Sequence, residues 1–375
     1  MSRLCARSHH GGLIGRNAST EEMVRHDWIN RPFIQREEAQ SQPQTMAAGL
    51  DFMRRNRQQD NWFLQIEAFD PHEPFFSHRK YKDLYAEHYD RYRKAGGKHF
   101  DWPFYRQVKE TPLEVEHARV EYAALVSMCD AYLGDVLDTM DELDLWKDTL
   151  LVVWTDHGYM LGEHDYWAKN WMPWYEELSH TPFFVWDPRC GKRGERRQAL
   201  VQPAIDLPLT LLDYFGVEPT SDMLGKNLTS AIARDEPVRE AAIYGIHGAQ
   251  VNVTDGRYTY YRSPATKDNG PIYEYGLWPV NMLNMYSVER LQQAQWVEPR
   301  SFTKGCRLLR VPIDVKPWHT NRWPTALFDL QSDPKQLKPL NDPAVERQMT
   351  QHLIRLMKEC DAPSEQYERL GLLDA

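Results

Sequence analysis

The chain has 375 residues, and 45 Lys plus Arg against 54 Asp plus Glu give it a formal charge of −9. That length, with ordinary hydrophobic (42%) and charged (26%) fractions, describes a globular protein able to bury a sizeable core in two subdomains. The acidic balance gives no support for nucleic-acid binding, no run is apolar and long enough to span a bilayer, and five dispersed cysteines without a C-x-x-C exclude a disulfide scaffold or structural zinc.

Residues 1–25 lack apolar periodicity and are expected to be disordered. The opening segment also lacks the hydrophobic core of a signal peptide, and localisation stays open. Glu37 to Asn56 reads as a helix with Met46, Leu50 and Met53 on one side. Trp62 to Phe69 reads as a buried strand, and Ser77 to Pro103 as a polar, aromatic surface excursion. Thr111-Pro112-Leu113-Glu114 is a capping box with proline at the first helical position, opening a long helix to about Leu143. Its apolar stripe of Val115, Ala118, Tyr122, Leu125, Val126, Cys129, Leu133, Val136, Leu137 and Met140 reads as core.

Leu150 to Trp154 reads as a buried parallel strand, stopped at Thr155-Asp156-His157-Gly158. Phe183 to Trp186 is a second apolar strand, and Asp206 to Phe215 a helix stopped by Gly216. Strands alternating with helices predict a doubly wound α/β layer. Beyond about Thr220 the pattern changes. Gln250–Thr254 and Arg257–Arg262 flank Asp255-Gly256, a hairpin signal. Leu327–Leu330 adds a strand, and Asp342-Pro343 starts an amphipathic terminal helix to about Cys360. Residues 263–324 read as a long insertion bearing Trp278, Trp296, Trp318 and Trp323, suited to one wall of a cleft.

The chemistry concentrates at the end of the Leu150–Trp154 strand. Ligands of open α/β sheets sit outside the carboxyl ends of strands. Asp156 and His157 offer adjacent oxygen and nitrogen donors there, Gly158 lets the chain turn without a Cβ clash, and Lys169 returns a cation. The longer pattern T-D-H-G-x-x-L-G-E-H, W-A-K, an acidic segment and S-H-T-P-F-F-V resembles the sulfatases of the alkaline phosphatase superfamily. The resemblance implies that Asp156 and His157 bind a divalent cation, usually calcium, and that Lys169 contacts sulfate. It also implies that His72, in Asp70-Pro71-His72-Glu73-Pro74, is general acid to the leaving alcohol. His164, His180 and His247 are further candidates for substrate contact.

On this resemblance, 26–220 is a partial sulfatase α/β catalytic domain with an incomplete alkaline-phosphatase-like sheet. Residues 221–375 form a smaller C-terminal subdomain of antiparallel sheet and terminal helix. The family nucleophile is a formylglycine made from the Cys or Ser of C-x-P-x-R or S-x-P-x-R, and no such motif occurs here. The paired aspartates of the family's opening strand and its G-K-W-H segment are absent too. Two donors fall short of the about 6–8 oxygens calcium takes, and a histidine at 157 keeps manganese and zinc as alternatives.

The expectation is therefore a sulfate ester hydrolase by lineage, acting on a sulfated small molecule or carbohydrate. The chain by itself is expected to be incompetent, whether it starts at an internal Met or is a remnant, and to need a partner or to be poorly soluble. A phosphodiesterase or phosphonate monoester hydrolase of the same superfamily is the second reading. A non-catalytic remnant or partner-binding fragment is the third.

Overall fold

The structure, a computed structural model, describes residues 29–281, 284–313 and 322–373. The stretch 1–25, expected to be disordered, and Trp318 lie outside the described residues. The architecture is α/β, and the chain forms two compact units. One comprises Met1–Leu150 and Met160–Ala168, the other Leu151–Tyr159 and Lys169–Ala375. Among the described residues no helix is long and apolar enough to cross a membrane.

The first unit is built on helices α1 (Ser41–Asn56), α2 (Ala86–Lys94) and α3 (Pro112–Glu142). A short 3-10 turn, Glu37–Ala39, precedes α1, so the expected helix begins in two pieces. Helix α3 carries the expected capping box. Glu114 N donates to Thr111 Oγ1 and Thr111 N donates to Glu114 Oε2. Its buried face holds Ala118, Ala124, Leu125, Met128, Val136 and Met140. Val126 and Leu137 from the expected stripe are exposed, because a straight helix of 31 residues drifts away from any single apolar row. The same face buries His117 and Glu121, which apolar periodicity does not reveal.

Residues 62–69 correct the strand reading. The backbone is extended and its burial alternates residue by residue, yet no ladder partner is found among the described residues. Trp62, Leu64, Ile66 and Ala68 take the inner side, whereas Phe63 and Phe69 are 59% and 65% exposed. Helix α1 covers the inner side so closely that a Cβ on Gly49 would lie 2.4 Å from Ile66 Cδ1. The alternation comes from the sequence, but a strand also needs a neighbour to take its backbone hydrogen bonds.

The second unit opens with β1 (Leu151–Trp154), the short helix α4 (Glu176–Ser179) and β2 (Phe183–Trp186). β1 pairs with β2 antiparallel, Val152 opposite Val185, not within the parallel layer read from the sequence. Among the described residues each is the other's ladder partner, and Trp154 and Phe184 remain exposed. Helix α5 (Pro203–Tyr214) follows, ending before Gly216 at φ +66°.

Next come β3 (Ala242–Gly245), β4 (Val251–Thr254) and β5 (Tyr258–Arg262). The stretch 263–324 is not a bare loop, since it carries β6 (Tyr273–Gly276), β7 (Gln295–Val297) and β8 (Leu308–Pro312) in an antiparallel sheet of its own, ordered β6-β8-β7. Strand β9 (Ala326–Asp329) then completes a four-stranded antiparallel sheet, ordered β9-β5-β4-β3. The long helix α6 (Pro343–Glu359) starts where Asp342 Oδ1 accepts from Ala344 N and Val345 N, and a short helix, Ser364–Arg369, follows it, so the expected terminal helix is not the last. Met349, Leu353 and Met357, one helical turn apart, share a buried cluster with Val253, Tyr260 and Leu327 of the sheet.

Candidate functional site

Strand β1 delivers Thr155, Asp156 and His157 into a loop that is pinned by one backbone contact. Gly158 N donates to Leu178 O at 2.9 Å. A Cβ on Gly158 would stand 1.8 Å from Glu177 O, so glycine is required there by closeness to the α4 backbone. The turn therefore holds Asp156 and His157 in a fixed place relative to α4.

Asp156 Oδ1 accepts from His157 N at 2.9 Å, and Asp156 Oδ2 lies 3.5 Å from His157 Nε2. The other ring nitrogen, Nδ1, is 2.8 Å from Gly158 O. A carbonyl can only accept, so Nδ1 carries the hydrogen and Nε2 presents a lone pair. Lys169 Nζ donates to that lone pair at 2.8 Å. Asp156, His157 and Lys169 thus form one cluster, with Asp156 largely exposed and His157 half-buried.

A divalent cation is the ligand expected at this cluster. An imidazole whose Nδ1–H is fixed by a backbone carbonyl is oriented to ligate through Nε2, and the Asp156 carboxylate faces the same point. The two residues fit as part of a metal's ligand set. Among the described residues no group of three or more His, Cys, Asp or Glu forms a metal cage, so further ligands are not contributed by a ready-made cluster.

The other candidate histidines have surroundings of their own. His180 is exposed, and its Nδ1 sits 2.8 Å from Glu176 Oε2, which raises its pKa above the ordinary imidazole value. His247 Nε2 donates to Tyr273 O at 3.0 Å. His164 belongs to the first unit, in a left-handed turn at φ +51°.

His72 also belongs to the first unit, at the end of the extended 62–69 segment. Its ring lies 4.3 Å from that of Phe69, and its Nδ1 is 2.8 Å from Glu73 O and 3.1 Å from Glu73 Oε2. Two residues upstream, burial pushes the Asp70 carboxyl up to about 6.

The first unit also holds a recess of about 290 Å3 lined by Lys82, Tyr89, Tyr92, Lys98, His117 and Glu121. Lys82 Nζ reaches Glu121 Oε2 at 2.6 Å, and His117 stacks on Tyr92 at 3.8 Å. Burial, with His88 and Lys82 nearby, pushes His117 down to about 4. None of the candidate site residues singled out from the sequence lines this recess.

Comparison with known proteins then places the chain. The family model Sulfatase matches residues 11–217, and the model N-sulphoglucosamine sulphohydrolase, C-terminal, matches 162–295. An N-acetylglucosamine-6-O-sulfatase of Bacteroides thetaiotaomicron is 23% identical over 283 residues, covering 75% of this chain and 40% of that protein. Among solved structures, a putative sulfatase from Bacteroides fragilis aligns with a TM-score of 0.59 at 16% identity, over 87% of this chain and 60% of that one. A phosphonate monoester hydrolase from Silicibacter pomeroyi aligns with a TM-score of 0.55 at 17% identity, over 86% and 60%. Both likenesses show an alkaline-phosphatase-like fold. The chain spans about half the length of the curated relatives it matches.

Proposed function

The chain belongs to the sulfatase family, and on that footing we propose that it carries the metal-holding and anion-holding part of a sulfate ester hydrolase site. One observation carries the reading: Asp156 Oδ2, His157 Nε2 and Lys169 Nζ meet at one point beyond the end of β1. Asp156 and His157 hold the divalent cation, calcium with manganese and zinc as alternatives. Bound there, the cation would supply Lewis-acid charge for a sulfate ester. Lys169, whose ammonium now rests on His157 Nε2, turns its hydrogens to a sulfate oxygen when that nitrogen is taken. In the first unit, His72 is the proposed general acid, with Nδ1 held by Glu73 and Nε2 as its proton-delivering atom. A sulfated carbohydrate is the proposed substrate class, in keeping with the name of the N-acetylglucosamine-6-O-sulfatase relative.

These 375 residues contain no C-x-P-x-R or S-x-P-x-R, the motif expected to supply the nucleophile that attacks sulfur. The chain assayed alone is accordingly expected to release no sulfate from an aryl sulfate. Metal-dependent release above background would overturn that expectation.

Isothermal titration with Ca2+, Mn2+ and Zn2+ tests the metal reading without requiring turnover. His157→Ala and Asp156→Asn should each weaken binding by at least about tenfold. Lys169→Ala should do the reverse, strengthening metal binding because a competing cation leaves Nε2, while weakening inorganic sulfate. No heat from any of the three metals, with an intact fold, would favour a non-catalytic role. The same donors suit a phosphonate or phosphate diester, and tighter binding of methylphosphonate than of sulfate would move the reading to that class.

A further inference from the structure

We propose that Glu73, held by Tyr105, is a positioning residue that fixes the proton-delivering orientation of His72; the functional part of this inference rests on the reading of His72 as general acid. Glu73 is 4% exposed, an unusual place for a carboxylate without a cation. Tyr105 OH donates to its Oε1 at 2.7 Å. Its Oε2 is buried and makes no well-directed hydrogen bond among the described residues. His72 Nδ1 lies 3.1 Å from that oxygen.

The chemistry of the three groups sets their roles. A phenol donates to one carboxylate oxygen and leaves the other to face the imidazole. The backbone carbonyl of Glu73, 2.8 Å from the same Nδ1, accepts as well. With two acceptors against it, Nδ1 keeps its hydrogen whether the ring is neutral or charged. The proton that comes and goes is then the one on Nε2, the atom turned away from Glu73. A buried carboxylate behind a histidine is the arrangement that fixes tautomer and ring orientation in other acid–base sites. The sequence Pro71-His72-Glu73-Pro74 places the carboxylate next to the ring it holds, and Tyr105 arrives from 32 residues further on.

The test is the tautomer of His72, read from the ring 15N shifts of the full chain. In the wild type the Nδ1–H form should dominate. Glu73→Gln keeps the shape but changes the donors. Its amide oxygen is held by Tyr105, so the NH2 faces Nδ1–H and repels it. The Nδ1–H fraction should fall from nearly all to about half, with the ring signal broadened. Tyr105→Phe, which leaves the carboxylate in place but unheld, should give a smaller shift in the same direction. The amide spectrum of each variant reports whether it is folded.

An unchanged Nδ1–H tautomer in folded Glu73→Gln would overturn the proposal, since the backbone carbonyl alone would then set the ring. Adding inorganic sulfate separates this from the wider reading. If the tautomer depends on Glu73 but the His72 signals ignore sulfate, the positioning stands and the general-acid assignment falls.

Discussion

Replacing Gly158 with alanine is expected to remove about 3 kcal/mol of stability, at the upper end of what overpacking costs. The added Cβ would stand 1.8 Å from Glu177 O and 3.2 Å from Leu178 Cα, and both are backbone atoms that cannot rotate away. Relief requires the loop and α4 to part, which breaks the Gly158 N to Leu178 O bond of 2.9 Å. The change also reaches the site. His157 Nδ1 rests on the Gly158 carbonyl, so displacing that carbonyl frees the ring and weakens metal binding. Urea unfolding measures the first effect and calorimetric titration the second. A stability loss below about 1 kcal/mol would show that the α4 backbone yields and that the turn is not rigid. Gly134 is the control. It lies inside α3 with nothing within 4 Å of an added Cβ, so Gly134→Ala should stabilise by about 0.5–1 kcal/mol.

The contrast between these glycines shows what a sequence can and cannot disclose. Rules that act within one turn of chain were readable. Thr111, Pro112 and Glu114 specify the start of α3, and Asp255-Gly256 specifies the β4–β5 hairpin, with Gly256 at φ +92°. Asp342-Pro343 specifies the start of α6 in the same way. The motif residues were readable because Asp156, His157 and Lys169 are close in sequence as well as in space.

What escaped depends on distant partners. Residues 62–69 have the alternation of a strand, but alternation says nothing about who supplies the hydrogen bonds. The direction of β1 against β2 is likewise set by pairing and not by composition. The sheet within 263–324 joins β6 to β8 across more than 30 residues, beyond the reach of any local pattern. Glu73 was in view as a letter, but its role needs Tyr105, which no spacing rule connects to it.

Asp70→Asn is expected to stabilise the protein at pH 7.5 by up to about 3 kcal/mol and to change little near pH 4. The folded chain holds the Asp70 proton up to about 6, against 3.8 for an ordinary aspartate, because burial disfavours the charge. The native state therefore binds more protons than the unfolded state between those two values, and stability falls as pH rises through them. Below pH 3.8 both states are protonated and the group contributes no penalty. Above about 6 both are ionised, and the native state bears the full cost, roughly 3 kcal/mol for a displacement of this size. Asparagine carries no charge at any of these pH values, so the variant's stability should lack this slope. Urea unfolding of both proteins at pH 4, 5, 6 and 7.5 gives the difference directly. A difference that stays flat across the series would mean that Asp70 is solvated in the folded chain. A difference that grows with pH would mean that the fold keeps, two residues from His72, a carboxylate that opposes stability at neutral pH.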